Sequence, residues 1–133
     1  MPGIRHQARS NALQLLYKRE VDPKTTQEEV DRFWKTAKVS GKVLEFAGEL
    51  LDGIETHGDE INRLIKDALE NWKAERLTVL VRGLLKLAVC EMVVLKAPPA
   101  VVIDEAVELA REFVDEESAR FVNGVLDKVR KTM

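Results

Sequence analysis

The stretch Leu77-Thr78-Val79-Leu80-Val81-Arg82-Gly83-Leu84-Leu85-Lys86-Leu87-Ala88-Val89-Cys90-Glu91-Met92-Val93-Val94-Leu95 decides the fold. It is the one long apolar segment of the chain, and its length admits either a membrane-spanning helix or a buried helix of a bundle. Arg82, Lys86 and Glu91 lie inside it, and charged groups near the centre of a bilayer are costly. The segment therefore reads as a central buried helix that begins after Lys73 and runs to Leu95. Pro98-Pro99 ends the linker behind it and fixes the start of another helix, with Ile103, Ala106, Val107, Ala110 and Phe113 inward.

Helical spacing continues on both sides. Before the central segment, Ala8, Ala12, Leu15 and Leu16, with Tyr17, predict a first helix from Ile4 to Glu20, which stops before Asp22-Pro23 because proline disfavours α conformation in the preceding residue. Thr25 or Thr26 caps a second helix carrying Glu28 and Glu29 in its first turn, with Val30, Phe33, Trp34 and Ala37 as its buried side. Val43, Leu44, Ala47, Leu50, Leu51 and Ile54 define a third, ending near His57-Gly58, where the glycine suits a left-handed cap. A fourth starts at Asp59 and buries Ile61, Leu64, Ile65, Ala68, Leu69 and Trp72. The last begins near Glu116 behind an Asp115 cap, with Val122, Val125, Leu126 and Val129 as its core stripe. No stretch alternates apolar and polar residues long enough to argue a sheet, so the fold class is all-α. The expected organisation is two small helical bundles sharing one core, residues 1–73 and 74–133.

Composition fits this reading. The 133 residues are 45% hydrophobic and 33% charged, the profile of a soluble globular domain with enough chain to bury a sizeable core. A single cysteine, Cys90, excludes an internal disulfide, and with only His6 and His57 beside it no zinc cluster is expected. Arg5, His6, Arg9 and Asn11 interrupt the first dozen residues, so no signal peptide is expected and the chain fits a reducing cytoplasm. The net charge of −2 conceals a segregation: residues 1–20 and 118–133 each carry +3, which leaves −8 for residues 21–117. If the fold brings the ends together, an acidic protein acquires one basic surface, the electrostatic footprint of a nucleic-acid binder.

Catalysis finds little support, since no nucleophile has an evident base and no glycine-rich phosphate loop is present. Binding chemistry concentrates at the ends. On the first helix Arg5 and Arg9 continue the line of a face that later becomes apolar, as arginines do when they project from an overhanging helix end toward phosphate. Pairing of each with a carboxylate of the acidic middle explains them equally well. His6 and Gln7 add donors suited to RNA, and Tyr17 offers a ring for stacking, although a tyrosine at that spacing is more often core. On the last helix Arg120, Gly124, Lys128 and Lys131 lie opposite the core stripe, a basic face without side-chain bulk at its centre. From spacing alone such a face is more often solvated surface. Arg82 and Lys86 put two like charges on one face of the central helix, for which Glu75, Glu91 or a partner's carboxylate would compensate. Asp104, Glu105, Glu108 and Glu112 read as a solvated helix side.

Taken in order, Ala8-Arg9, Ala12-Leu13-Gln14-Leu15-Leu16-Tyr17, Trp72 with Glu75-Arg76-Leu77, Leu85-Lys86-Leu87-Ala88, Glu91, Ile103 to Ala110 and Phe121-Val122-Asn123-Gly124-Val125-Leu126-Asp127 resemble the transcription antitermination factor NusB family over nearly the whole chain. The resemblance implies two perpendicular helical bundles, no enzymatic activity, no cofactor and no metal. It also implies binding of boxA-type RNA together with NusE, a small-subunit ribosomal protein, within an antitermination complex on RNA polymerase that supports ribosomal RNA synthesis. The family's arginine-rich N-terminal motif falls on Arg5, His6, Gln7 and Arg9, with only two arginines where members often have three or four. Tyr17, Arg120, Phe121, Asn123 and Lys128 match further RNA-side positions, and Glu75 and Arg82 match the NusE-facing surface. Val81 departs from an acidic residue that commonly precedes that arginine, and Val114 from a frequent glycine. Either a monomer or a homodimer is compatible with the family. Two alternatives compete: the related helical module of ribosomal RNA cytosine methyltransferases, and a protein-only helical adaptor.

Overall fold

The computed structural model describes residues 3–69 and 77–133. Among them the chain forms seven α-helices and no strand: α1 (Ile4–Val21), α2 (Gln27–Ala37), α3 (Gly41–Thr56), α4 (Gly58–Ala68), α5 (Val79–Val93), α6 (Pro99–Phe113) and α7 (Glu116–Thr132). No helix of these is long and apolar enough to cross a membrane.

Local chemistry sets most boundaries. Thr26 caps α2 with a full capping box, its hydroxyl accepting from the Glu29 N–H while the Glu29 carboxylate accepts from the Thr26 N–H. Ser40, Thr78 and Asp115 cap α3, α5 and α7 by accepting from the N–H of the residue three further on. Gly58 departs from the expectation. It takes no left-handed conformation and instead opens α4, because His57 serves as both the last cap of α3 and the first of α4 at φ −110°. Left-handed backbone falls on Lys38 and Lys96. Val114 makes the α6–α7 corner at φ −127°, a conformation that does not call for glycine.

The central helix is α5. Ten of its fifteen residues are buried, because α1, α3, α4, α6 and α7 all pack against it. Two glycines permit the closest approaches. A Cβ on Gly83 would stand 3.0 Å from Leu13 Cδ1 on α1, and one on Gly53 of α3 would stand 2.6 Å from Cys90 Sγ. Cys90 Sγ also lies 3.6 Å from the Leu50 carbonyl, and burial, followed by the charge of neighbouring Glu91, pushes its thiol pKa up to about 11. A thiol so placed is packing, not chemistry. Helices from both sides of residue 73 contribute to one core, which joins Ala8, Leu13, Val43, Leu50 and Ile61 to Leu85, Leu109, Val125 and Leu126.

Candidate nucleic-acid interface

The N-terminal cations of α1 sit against α3, α5 and α6, and that packing decides which of them is free. Arg9 does not project into solvent. Only 5% of it is exposed, and its Nε and Nη2 donate to Glu91 Oε2 and Oε1 of α5, both at 2.7 Å. Its Nη1 lies 3.6 Å from Glu105 of α6. Burial works against the charge, yet the Glu91 hydrogen bonds and the nearby Glu91 and Glu105 charges outweigh it and hold the guanidinium pKa above its ordinary value. This corrects the picture of an overhanging arginine: Arg9 ties α1 to α5 and α6 from inside. A clue lay in the sequence. Glu91 is a lone acid in an apolar helix and Arg9 a cation in line with an apolar stripe, and each needs a buried counter-charge.

His6, one turn earlier, lies between two carboxylates of α6, with Nδ1 3.4 Å from Glu105 and Nε2 3.4 Å from Glu112. Glu105 and Glu112 therefore face α1, Glu105 also as a counter-charge of Arg9, and are not merely a solvated row. Gln7 is half-buried, and its carbonyl accepts from Asn11 Nδ2 at 2.8 Å. Arg5 is the exposed member. Its guanidinium carbon stands 5.0 Å from the centre of the Phe46 ring of α3, and no ion pair engages it among the described residues.

On α7 the outward row is Arg120, Asn123, Gly124, Asp127, Lys128 and Lys131, exposed or half-buried throughout. Asp127 engages Arg130 and, at 3.1 Å, Lys131, so those two charges are locally compensated. The Lys131 hydrogen bond, ahead of the Lys131 and Arg130 charges, holds the Asp127 carboxyl below its ordinary pKa. Lys128 has no ion-pair partner among the described residues. Arg120 has no ion pair among the described residues and acts on Glu116 through its charge alone, the Glu116 carboxylate being taken by Arg111 at 2.6 Å. Phe121 does not belong to this row: it is 4% exposed and packs in the core, so its ring cannot receive a base.

The start of α1 and the start of α7 approach through α6. His6 reaches Glu112, the next residue Arg111 reaches Glu116, and Arg120 follows one turn into α7. The C-terminal turn of α6 thereby places the start of α1 beside the start of α7. Lys128 lies about 12 Å further along the α7 axis.

Tyr17 falls elsewhere. It is 44% exposed, so it is no core residue, but it sits about 18 Å along α1 from Arg5. One turn beyond it Glu20 accepts from Arg82 Nη1 of α5 at 2.6 Å. Glu20, not Glu91, thus compensates Arg82, and the pair borders a shallow cleft lined by Leu16, Val79, Gly83 and Lys86. Val81 is fully buried beside it, where a carboxylate would be costly. Glu75, the other expected partner-facing residue, lies outside the described residues, as does Trp72.

Residues 6–131 match the model of the NusB family. The transcription antitermination protein NusB of Myxococcus xanthus is 40% identical, with 96% of this chain and 94% of the relative covered. The NusB protein of Bacillus mycoides is 37% identical over 97% and 98% of the respective chains. Among solved structures, the antitermination factors NusB and NusE in complex with double-stranded RNA provide a chain with a TM-score of 0.86 at 29% identity, both chains being wholly covered. NusB of T. maritima superposes with a TM-score of 0.81 at 31% identity, over 98% of this chain and 93% of that one. An all-helical fold of matching topology, a full-length family match and relatives at this identity converge: the chain belongs to the NusB family.

Proposed function

We propose that the chain is a transcription antitermination factor that binds boxA-type RNA together with NusE and joins an antitermination complex on RNA polymerase, in support of ribosomal RNA synthesis. One observation of the geometry carries the reading: of the cations that the resemblance assigns to the RNA side, Arg5, Arg120 and Lys128 have no carboxylate bonded to them among the described residues, and the helix starts that carry Arg5 and Arg120 meet at the C-terminal end of α6. A solved relative with NusB, NusE and double-stranded RNA in one complex supports the choice of partners. Arg5, Arg120, Asn123 and Lys128 contact the RNA backbone, with His6 and Gln7 beside them. Arg9 holds α1 in place from inside, and Phe121 does the same for α7. The cleft of Arg82 and Glu20, with Tyr17 one turn away, faces NusE. The chain binds and carries out no catalysis, acting in the cytoplasm where transcripts are made.

Gel-shift titration of boxA-type and scrambled RNA, with and without NusE, tests this. The boxA sequence is expected to bind more tightly than its scrambled form, and NusE to strengthen that preference. Equal retention of both RNAs in every lane, or no retention, would favour the protein-only adaptor.

A further inference from the structure

Phe46 stands outside every motif singled out in the sequence, yet both N-terminal arginines converge on it. Arg5 stands 5.0 Å and Arg9 5.7 Å from its ring centre. The two arginines are four residues apart on α1 and share a face, an arrangement that sets like charges against each other. Two features offset the repulsion. Glu91 neutralises Arg9 through its paired hydrogen bonds, and the negative face of the half-buried Phe46 ring attracts both guanidinium groups.

We propose that Phe46 is a positioning residue for RNA binding: it seats the Arg5 guanidinium at the surface in the place where a phosphate is received. This rests on the reading of Arg5 as an RNA contact. A ring engages the charge of a guanidinium and accepts none of its N–H groups in the way a carboxylate does, so the donor fork stays available for a bidentate phosphate contact. A carboxylate in the same place would compete with the RNA for those donors. Arg9, fixed by Glu91, holds the other approach to the ring. The seat is therefore built on α3 and α5 and restricts a side chain that would otherwise lose rotamer freedom only when RNA arrives.

The test is a cycle of variants measured for dissociation constant by fluorescence anisotropy with a short boxA-type RNA at one fixed salt concentration. Arg5→Ala is expected to weaken binding about tenfold. Phe46→Leu, which keeps apolar volume and removes the aromatic face, is expected to weaken it about threefold. Phe46→Tyr restores wild-type affinity, and Phe46→Leu added to Arg5→Ala weakens binding no further. If Arg5→Ala weakens binding while Phe46→Leu leaves it unchanged, the seat is overturned and the Arg5 contact stands. An equal loss from Phe46→Leu in both backgrounds would assign the ring to packing and overturn the proposal. Wild-type affinity in Arg5→Ala would remove the contact and the seat together.

Discussion

Glu91→Ala destabilises the folded chain by about 3–5 kcal/mol, because it leaves the Arg9 guanidinium buried without its carboxylate. Domains of this kind are stable by only about 5–15 kcal/mol, so this one change consumes much of the total and should show in urea unfolding as a large fall in midpoint. Glu105, 3.6 Å from Arg9 and partly exposed, is too distant to replace two direct hydrogen bonds. Arg9→Met combined with Glu91→Leu removes both charges at similar volume and is expected to recover most of the loss, since a well-packed apolar pair often equals a buried ion pair. The double variant also separates the two roles open to Arg9. It is expected to retain wild-type RNA affinity, as befits a residue that anchors α1 from inside; a loss of affinity in a stably folded double variant would return Arg9 to the RNA surface.

The triple variant Arg5→Ala, Arg120→Ala, Lys128→Ala is expected to lower affinity for boxA-type RNA by about two to three orders of magnitude at constant salt, with little change in stability. Each charged hydrogen bond to phosphate contributes about a factor of ten, and three contacts to different phosphates add approximately. Exposed or half-buried positions without an ion pair among the described residues contribute little to folding. Electrostatic binding also predicts a shallower salt dependence, since each lost phosphate contact reduces the slope of log affinity against log salt by about 0.7 for single-stranded RNA. By contrast, substituting Arg130 and Lys131 is expected to change affinity less, because Asp127 already engages both.

The helices were legible because their signals are local. The apolar run around Leu84 and Leu85, with charges that exclude a membrane, required a central helix, and Thr26 and Asp115 announced the starts of α2 and α7 through side chains that bond their own backbone. Gly58 misled because the left-handed cap is only one of a glycine's uses, and two helices share the His57 junction here. The site was less legible because its decisive pairs are distant in sequence. Arg9 and Glu91 are 82 positions apart, and periodicity placed Arg9 in line with Ala12 and Leu16 without saying whether that line ends in solvent or against another helix. The same ignorance of neighbours made Glu105 and Glu112 look merely solvated and left Tyr17 between core and surface. Phe46 carries no motif at all; only the crossing of α1 over α3 brings it beneath two arginines.

What remains decisive is whether the start of α1 and the outward row of α7 act as one surface. An amide-resolved NMR titration with boxA-type RNA addresses it directly. Signals of Arg5 to Gln7 and of Arg120 to Lys128 are expected to shift together and to saturate at one common RNA concentration. Shifts confined to one of the two helices, or saturation of each at a different concentration, would contradict a shared RNA surface.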